Sequence, residues 1–417
     1  MNTLKYTKIV ITGAGAVSPY GAGVTALADG LFTGKGCTHT VPELEGLPMV
    51  KTKVAATVPE MDFSYIPRRD RRSMSRMAKY AYAAAQEALK SAGYETAPQG
   101  LGFFMGSTLN SISVWLEISK NCHEGHLELV KTSDFLQIMN HSPLATVSQA
   151  LKINGPCVGA SDACATGLMN IGLAYLAVKT GLVSQALCGG TEEYHPMFSA
   201  CFDIMQATSY NFNHKPNEAC RPFDKDRTGL VCSEGCGLLF IETEENAKAR
   251  GATILAEIAG FASNTETENM AYPSAQTLRS CMLAALADAN IKPEEVDLLN
   301  AHATGTVAGD IAETHAAAAV FGPAVSINSL KGHIGHAMGA SGSLETIACA
   351  EMLKRQTVLP TQNLHIADER CAPLAYVTRT EERPLNVILK NSFAIGGNNC
   401  SLVLRRPLRL QETKLLN

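Results

Sequence analysis

Long apolar runs, a strong net charge and a secretion signal are all missing from this sequence of 417 residues. No stretch approaches the ~18 uninterrupted apolar residues of a membrane-spanning helix, so we expect no membrane span. The net charge of −4 argues against a nucleic-acid-binding protein. Residues 1–6 contain no apolar core of the kind that signal peptides carry. With 46% hydrophobic and 18% charged residues, the sequence predicts a folded, core-rich protein.

The cysteines lack the spacing of a metal site. There are 13, an odd number, and the closest pair, Cys232 and Cys236, has no second pair to complete a zinc site. We therefore expect no metal, and we expect most of the thiols to be small buried apolar groups. A reducing cytoplasm is the compartment that this usage favours.

Short apolar strands alternate with longer helical patterns along the chain. This alternation predicts an α/β protein with buried sheets. The helices are expected at residues 73–92 and 277–290, and the strands at 8–12, 101–105, 184–188, 296–299, 325–327 and 387–389.

Two glycines follow the first predicted strand. Gly13 and Gly15 begin a dinucleotide-binding pattern, but Ser18 stands at the third glycine position. A partial pattern of this kind is weak evidence. We favour a strand followed by a tight turn and keep a nicotinamide-dependent oxidoreductase as a minor alternative.

Two segments of the chain resemble each other. A small-residue helix start at residue 165 leads to Lys179, and a similar start at residue 340 leads to Lys354, an offset of 175 residues at both ends. Such self-similarity predicts a duplicated α/β unit, with the join near residues 244–253. We divide the chain into an N-terminal half, residues 1–250, and a C-terminal half, residues 251–417.

Cys164 is the candidate nucleophile. Small residues surround it, and it falls where a loop enters a helical pattern. The positive end of the helix dipole is expected to favour its thiolate form. Two distant glycine-rich segments carry His302 and His336, and one cysteine with two such histidines indicates thiol-based acyl chemistry.

Six motifs in order resemble those of the β-ketoacyl-acyl-carrier-protein synthases, the condensing enzymes of the thiolase fold. The resemblance covers nearly the whole chain and is strongest to the elongating type with a Cys-His-His triad. It implies duplicated α/β halves in an α-β-α-β-α sandwich. The motifs are DACATG at 162–167, RPFD at 221–224, SEGCG at 233–237, NAHATGT at 300–306 with Asp310 and Glu313, KGHIGH at 331–336, and NSFAIGGN at 391–398.

The resemblance implies a decarboxylative condensation of an acyl thioester with malonyl-acyl carrier protein. Cys164 would hold the acyl group, with its own backbone N–H and that of Ile395 as the oxyanion hole. His302 and His336 would donate hydrogen bonds to an enolate. Lys331 is expected to pair with Glu313 and to fix His336.

The resemblance also implies substrate and partner contacts. Thr304 and Thr306 would bind the 4'-phosphopantetheine arm of an acyl carrier protein, and no other cofactor is expected. The basic cluster Arg68, Arg69, Arg71 and Arg72 would steer that acidic partner.

The gating segment departs from the family pattern. Phe393 is kept, but Ala394 replaces a glycine and Ile395 replaces a second aromatic. Ala271 stands where the family usually has a hydroxyl residue. A β-branched side chain is stiffer than an aromatic gate. These changes favour a specialised substrate, such as a type II polyketide or polyene chain, over housekeeping fatty-acid synthesis.

Alternatives to an active ketosynthase remain open. One is a non-catalytic partner that sets chain length in a ketosynthase heterodimer, although such partners usually lose the nucleophile. Another is a coenzyme A-dependent thiolase, which would need a second cysteine such as Cys400. The sequence does not decide between a homodimer and a heterodimer.

Overall fold

The computed structural model describes residues 7–270 and 272–407. The segment 1–6, where no signal peptide is expected, and Ala271 lie outside the described residues. Within the described residues, every helix is too short or too polar to cross a bilayer.

The elements follow one another as an alternating α/β chain, as the sequence predicts. The strands are β1 (Ile9–Ser18), β2 (Gly21–Ala22), β3 (His39–Thr40), β4 (Val54–Ala55), β5 (Gly102–Gly106), β6 (Cys157–Val158), β7 (Gln185–Glu192), β8 (Gly235–Thr243), β9 (Ala256–Thr265), β10 (Leu298–Asn300), β11 (Ser326–Asn328), β12 (Thr357–Val358), β13 (Ala375–Tyr376), β14 (Glu381–Glu382), β15 (Val387–Phe393) and β16 (Asn398–Arg405). The helices are α1 (Val24–Thr33), α2 (Pro42–Glu45), α3 (Arg68–Arg71), α4 (Arg76–Ser91), α5 (Ile112–Glu124), α6 (Thr132–Gln137), α7 (Ser142–Leu151), α8 (Thr166–Lys179), α9 (Pro196–Ile204), α10 (Glu244–Ala249), α11 (Ala275–Ala289), α12 (Val307–Phe321), α13 (Lys331–Ile334) and α14 (Ser341–Arg355).

The main sheet consists of two runs of strands with the same order. One run is β6-β5-β7-β8-β1 and the other is β11-β10-β15-β16-β9. In each run the first three strands are parallel and the last two pairings are antiparallel. Strands β1 and β9 pair antiparallel, with Ile9 opposite Ile258, and so join the runs. The duplication predicted from the sequence is confirmed at the level of topology.

Helices cover both faces of each run. Helices α8 and α14 contact each other and pack against strands of both runs. Helices α4 and α7 cover the outer face of the first run, and α11 and α12 lie on the outer side of the second. These contacts make the five layers, α-β-α-β-α, that the resemblance implies. Residues 341–353 of α14 are all buried, as a central layer requires.

The central helices begin 175 residues apart, at Thr166 and Ser341, as the offset between the two similar segments predicts. They cross closely because each carries a glycine at the contact. A Cβ atom on Gly167 would lie 2.7 Å from the Gly339 carbonyl oxygen, and one on Gly342 would lie 2.7 Å from the Leu168 nitrogen. The division of the chain at residue 250 stays a prediction.

The segment at Gly13 corrects the sequence analysis. It is neither a tight turn nor a nucleotide-binding loop, because β1 continues through it with a bulge between Ile11 and Gly13. A Cβ atom on Gly13 would lie 2.3 Å from the Ala88 carbonyl oxygen of α4, and one on Gly15 would lie 1.9 Å from the Ala84 carbonyl oxygen. The glycines therefore let a helix backbone pack directly on the strand.

Candidate active site

Cys164 lies in a strained turn that leads into α8. Residues 163–165 form one turn of 3₁₀-helix, and Ala163 has φ of 45°, a left-handed conformation that is unfavourable for a residue with a Cβ atom. The Asn398 amide donates to Asp162 Oδ1 over 2.8 Å, which ties this turn to the gating segment. The nucleophile is therefore placed by a backbone conformation that its neighbours hold.

The expected thiolate character of Cys164 is not what its surroundings favour. Burial raises the pKa of the thiol to about 11, although the backbone N–H groups of Ile395 and of Cys164 itself act on the sulfur in the opposite direction. Desolvation of the charged form outweighs those dipoles because the side chain is only 6% exposed. At neutral pH the group is a thiol.

His302 follows β10, and its loop is held by a carboxylate from α12. The two oxygens of Glu313 accept the backbone N–H groups of His302 (2.9 Å) and Ala303 (2.7 Å). The Asn391 amide adds a third hydrogen bond to Glu313, over 3.0 Å. Glu313 thus positions the His302 loop through the backbone.

His336 lies between α13 and the turn that precedes α14. Its Nδ1 is 2.9 Å from the Ser341 hydroxyl, and its Nε2 is buried without a hydrogen-bond partner. When the hydroxyl donates to Nδ1, the proton of the neutral ring is on Nε2. That tautomer leaves a free N–H donor inside the site.

The three predicted side chains meet in one buried cluster. Ligand atoms of Cys164, His302 and His336 all lie within 4.8 Å of one another, and the two imidazole rings are 5.2 Å apart at 81°. Burial first, and then the positive charges of Lys331 and Lys390, lower the pKa of both histidines well below the usual range. Both rings are therefore neutral at physiological pH and can act as hydrogen-bond donors.

The predicted pair between Lys331 and Glu313 is wrong. The Lys331 ammonium lies 2.6 Å from Glu345 Oε1 of α14, and the Lys390 ammonium lies 2.7 Å from the other oxygen of the same carboxylate. Glu313 is already used by backbone N–H groups, whereas Glu345 would otherwise be a buried charge without a partner. Lys331 acts on the histidines through its field.

Sequence reasoning missed Lys390, Glu345 and Ser341. Lys390 follows three apolar residues in β15, a strand that is buried throughout, and Glu345 stands inside a buried helix. A charged residue in a strongly apolar element indicates a buried partner, and that pattern could have revealed the pair. The contact of Ser341 with His336 depends on the 3₁₀ turn between them, and no pattern in the sequence indicates it.

The gating segment forms one side of a cavity of about 320 Å³ beside the cluster. Phe393 ends β15 with its ring 6.5 Å from that of His302, and Ile395 follows, 37% exposed. Thr304 and Thr306 line the same cavity, and their hydroxyls are 3.0 Å apart. The structure therefore brings the predicted gate and the predicted arm-binding residues to one opening.

A thiol and two imidazoles are also zinc-ligand types. Here the backbone N–H groups of Cys164 and Ile395 and the positive charge of Lys331 all lower the pKa of the thiol and so favour negative charge at this position. Both features oppose a cation and favour an anion, such as a developing oxyanion. The surroundings fit acyl transfer better than metal binding.

The remaining candidates lie apart from the cluster. Cys400 is buried in β16 opposite Ser392, outside the group that Cys164 forms with the histidines. The basic cluster forms α3 and its end: Arg69 pairs with Asp70 over 3.0 Å, while Arg68 and Arg72 are exposed.

Comparison with known proteins now decides the family. The β-ketoacyl synthase N-terminal domain matches residues 6–247, and the β-ketoacyl synthase C-terminal domain matches residues 255–365. The chain belongs to the β-ketoacyl synthase family. It is an acyltransferase of the 3-oxoacyl-[acyl-carrier-protein] synthase class, related over nearly its full length to a curated enzyme of that name.

That relative is 3-oxoacyl-[acyl-carrier-protein] synthase 2 of Coxiella burnetii, 33% identical over 96% of this chain and 98% of its own. A β-ketoacyl synthase from Burkholderia phymatum has 36% identity and a TM-score of 0.93, covering 96% of this chain and all of that one. The ishigamide ketosynthase/chain length factor has 28% identity and a TM-score of 0.88, covering 97% of this ketosynthase and all of that chain.

Proposed function

We propose that this ketosynthase condenses an acyl thioester, carried on Cys164, with malonyl-acyl carrier protein to give 3-oxoacyl-acyl carrier protein. The observation that carries the proposal is the buried cluster of Cys164, His302 and His336 within 4.8 Å, with two backbone N–H groups directed at the sulfur. A nucleophile, an oxyanion site and two neutral donors are what the two half-reactions need.

In the first half-reaction the Cys164 sulfur attacks the carbonyl carbon of an incoming acyl thioester. A new C–S bond forms, the bond to the pantetheine sulfur breaks, and the proton of the thiol ends on the departing pantetheine thiol. The negative charge on the carbonyl oxygen faces the N–H groups of Cys164 and Ile395. This step needs no imidazole donor to an enolate.

In the second half-reaction the malonyl thioester loses CO₂. The electrons of the broken C–C bond form an enolate, and the two neutral imidazoles donate N–H bonds to its oxygen. The enolate carbon then attacks the acyl carbonyl, a C–C bond forms, and the Cys164 sulfur leaves as a thiolate that takes a proton from solvent. Low pKa values of His302 and His336 keep both rings neutral for this role.

Substrates arrive on a 4'-phosphopantetheine arm, and the mechanism uses no further cofactor. Thr304 and Thr306 line the cavity beside the cluster, where their hydroxyls can meet the amides of such an arm. Arg68 and Arg72 are exposed and form no ion pair with another described residue within 4 Å. Free guanidinium groups at this position suit the docking of an acidic acyl carrier protein.

The acyl chain belongs to a specialised type II polyketide or polyene rather than to housekeeping fatty acids. Ile395 supports this assignment because a β-branched side chain at the cavity opening cannot swing as an aromatic ring does.

A second ketosynthase chain is the expected partner. Large apolar side chains are exposed on and near α5 and α6, including Trp115 (51%), Leu127 (64%) and Phe135 (56%). Helix α7 contacts both α6 and β6, and β6 ends the main sheet with an edge that no other described strand pairs with. Apolar side chains beside an unpaired strand edge favour association with a chain of the same fold.

A non-catalytic, chain-length-setting role is disfavoured by the site itself. A subunit without chemistry has no need to bury a thiol beside two neutral imidazoles. The proposal is tested by incubating the purified protein with an acyl-acyl carrier protein and ¹³C-labelled malonyl-acyl carrier protein. The proposal is supported if 3-oxoacyl product forms and an equal amount of CO₂ is released. It is overturned if neither appears when the protein is assayed together with its expected partner chain.

A further inference from the structure

Glu192 is a buried acid at the end of β7 that the mechanism above does not use. Its Oε2 accepts the backbone N–H groups of Thr108 (2.9 Å) and Gly339 (3.1 Å). Its Oε1 has no hydrogen-bond partner, and no lysine, arginine or histidine of the described residues pairs with it within 4 Å. A carboxyl group placed in this way is costly to the fold and calls for a function.

The Glu192 carboxyl group lies against Gly339, the residue of the second half that corresponds to Cys164 in the first. Gly339 stands 175 residues after Cys164, and Met338 before it has φ of 47°, close to the 45° of Ala163. A Cβ atom on Gly339 would lie 3.0 Å from Glu192 Oε2. Glu192 therefore occupies the space that a side chain at residue 339 would need.

Glu192 joins the two turns that carry the chemistry. Through Thr108 it reaches the nucleophile, because the Thr108 hydroxyl donates to the Ala163 carbonyl over 3.3 Å. Through Gly339 it holds the turn three residues after His336. Movement of the carboxyl group would shift both turns together.

Burial keeps Glu192 protonated. It raises the pKa of this carboxyl group to about 8, with a smaller contribution from the neighbouring Glu193, although the hydrogen bonds from Thr108 and Gly339 act in the opposite direction. Glu234, which precedes β8 and interacts with Glu193, pairs with Arg76 over 3.1 Å. A charge on Glu192 would in turn raise the pKa of Cys164.

We infer that Glu192 is a positioning residue that aligns the Cys164 turn with the His336 turn, and that its ionisation limits acyl loading at alkaline pH. The inference rests on the proposed function, since it assigns Cys164 as the site of loading. Below pH 8 the neutral group holds both N–H donors without placing a charge near the thiol. Above pH 8 the carboxylate opposes formation of the thiolate.

The test is single-turnover acylation of Cys164 by a small acyl thioester, followed by intact-protein mass spectrometry from pH 6.5 to 9.5. Glu192→Ala should slow acylation on the order of 10-fold or more at pH 7, because both turns lose their anchor. Glu192→Gln should restore most of the lost acylation rate. The acylation rate of this variant should keep rising above pH 8, where that of the native protein levels off. Purely structural damage would not change the shape of the pH profile.

Glu257→Gln is the matched control. Glu257 is also buried, with a pKa raised chiefly by burial, but it lies at the start of β9 beside Arg405. Its amide variant should keep the native pH profile. If Glu192→Gln also keeps that profile, or if Glu192→Ala acylates at the native rate, the inference is overturned. Neither readout uses the malonyl substrate, so failure of the proposed condensation would be seen separately.

Discussion

The two turns that precede α8 and α14 have the same backbone and different chemistry. Both are single 3₁₀ turns with a left-handed residue first, Ala163 in one and Met338 in the other. The middle residue is a nucleophilic cysteine in the first turn and a glycine in the second. The strained turn therefore belongs to the duplicated fold, and under the proposed function the residue at its centre decides which half carries the acyl group.

The halves also divide the remaining functions. Cys164 comes from the first half, whereas His302, His336 and the Ile395 N–H group come from the second. Because α8 and α14 contact each other between the sheet runs, these groups meet in one cluster. Neither half by itself therefore contains the whole cluster.

The largest effect is expected from removing the thiol. Cys164→Ala should abolish condensation, because the opposite turn offers only Gly339 and cannot hold an acyl group. The product assay with labelled malonyl-acyl carrier protein measures the loss. Cys232→Ala is the control, since that buried cysteine lies near Cys164 but outside the cluster. Appreciable product from Cys164→Ala would contradict the claim that only the first turn can hold the acyl group.

His302→Ala and His336→Ala should each lower the condensation rate on the order of 10²-fold or more, since each removes a donor to the enolate. Acylation of Cys164 should persist because it uses the oxyanion site. His333→Ala is the control: that ring is held by the Pro360 carbonyl over 3.0 Å, away from the cluster. Loss of acylation in the first two variants would contradict the division of functions.

Filling the second turn should have an intermediate effect. In Gly339→Ala the new methyl group would lie 2.9 Å from the Thr108 nitrogen. Overpacking of this kind costs about 1–3 kcal/mol of unfolding free energy. Chemical denaturation measures the change, and Gly46→Ala, where the nearest atom is 3.6 Å away, is the control. Equal stabilities of the two variants would show that the second turn tolerates a side chain.

Charge reversal on the first half should act on carrier docking alone. Arg68→Glu with Arg72→Glu should raise the KM for acyl carrier protein about threefold to tenfold at low salt, and the effect should shrink as ionic strength rises. Lys90→Glu with Lys292→Glu changes the same total charge elsewhere on the surface. An equal increase in KM for that control variant would show that the effect comes from net charge and not from the position of the arginines.

The smallest effect is expected from the gate. Ile395→Phe keeps the backbone N–H group that serves the oxyanion, so decarboxylation should stay within about twofold of native. The profile of acyl chains loaded in competition should change, because an aromatic ring alters the cavity opening. Mass spectrometry of the loaded chains measures this, and an unchanged profile would remove the support that Ile395 gives to a specialised substrate.

Sequence reasoning predicted the features that are local or repeated. The 175-residue offset gave both central helices, and the small residues around Cys164 placed it at a helix start. It failed where long-range packing decides the outcome. The Gly13 segment continues as a strand because α4 packs on it, and Lys331 pairs with Glu345 because Glu313 is already held by backbone groups.

The ionisation of Cys164 was also beyond the sequence. A helix start favours thiolate, but burial depends on residues from distant segments, and it raises the pKa of this thiol to about 11. The local sequence pattern predicts Cys164 as the nucleophile, whereas its protonation state depends on the assembled site.

The most direct test of the account is peptide mapping of Cys164 in a His302→Ala and His336→Ala double variant, incubated with an acyl-acyl carrier protein and then with malonyl-acyl carrier protein. The account predicts that the acyl group accumulates on Cys164 and stays there, with neither CO₂ nor 3-oxoacyl product released. In the native protein the same acyl group should turn over. Failure of the double variant to load the acyl group, or its normal turnover, would contradict the claim that one half holds the chain while the other activates the malonyl unit.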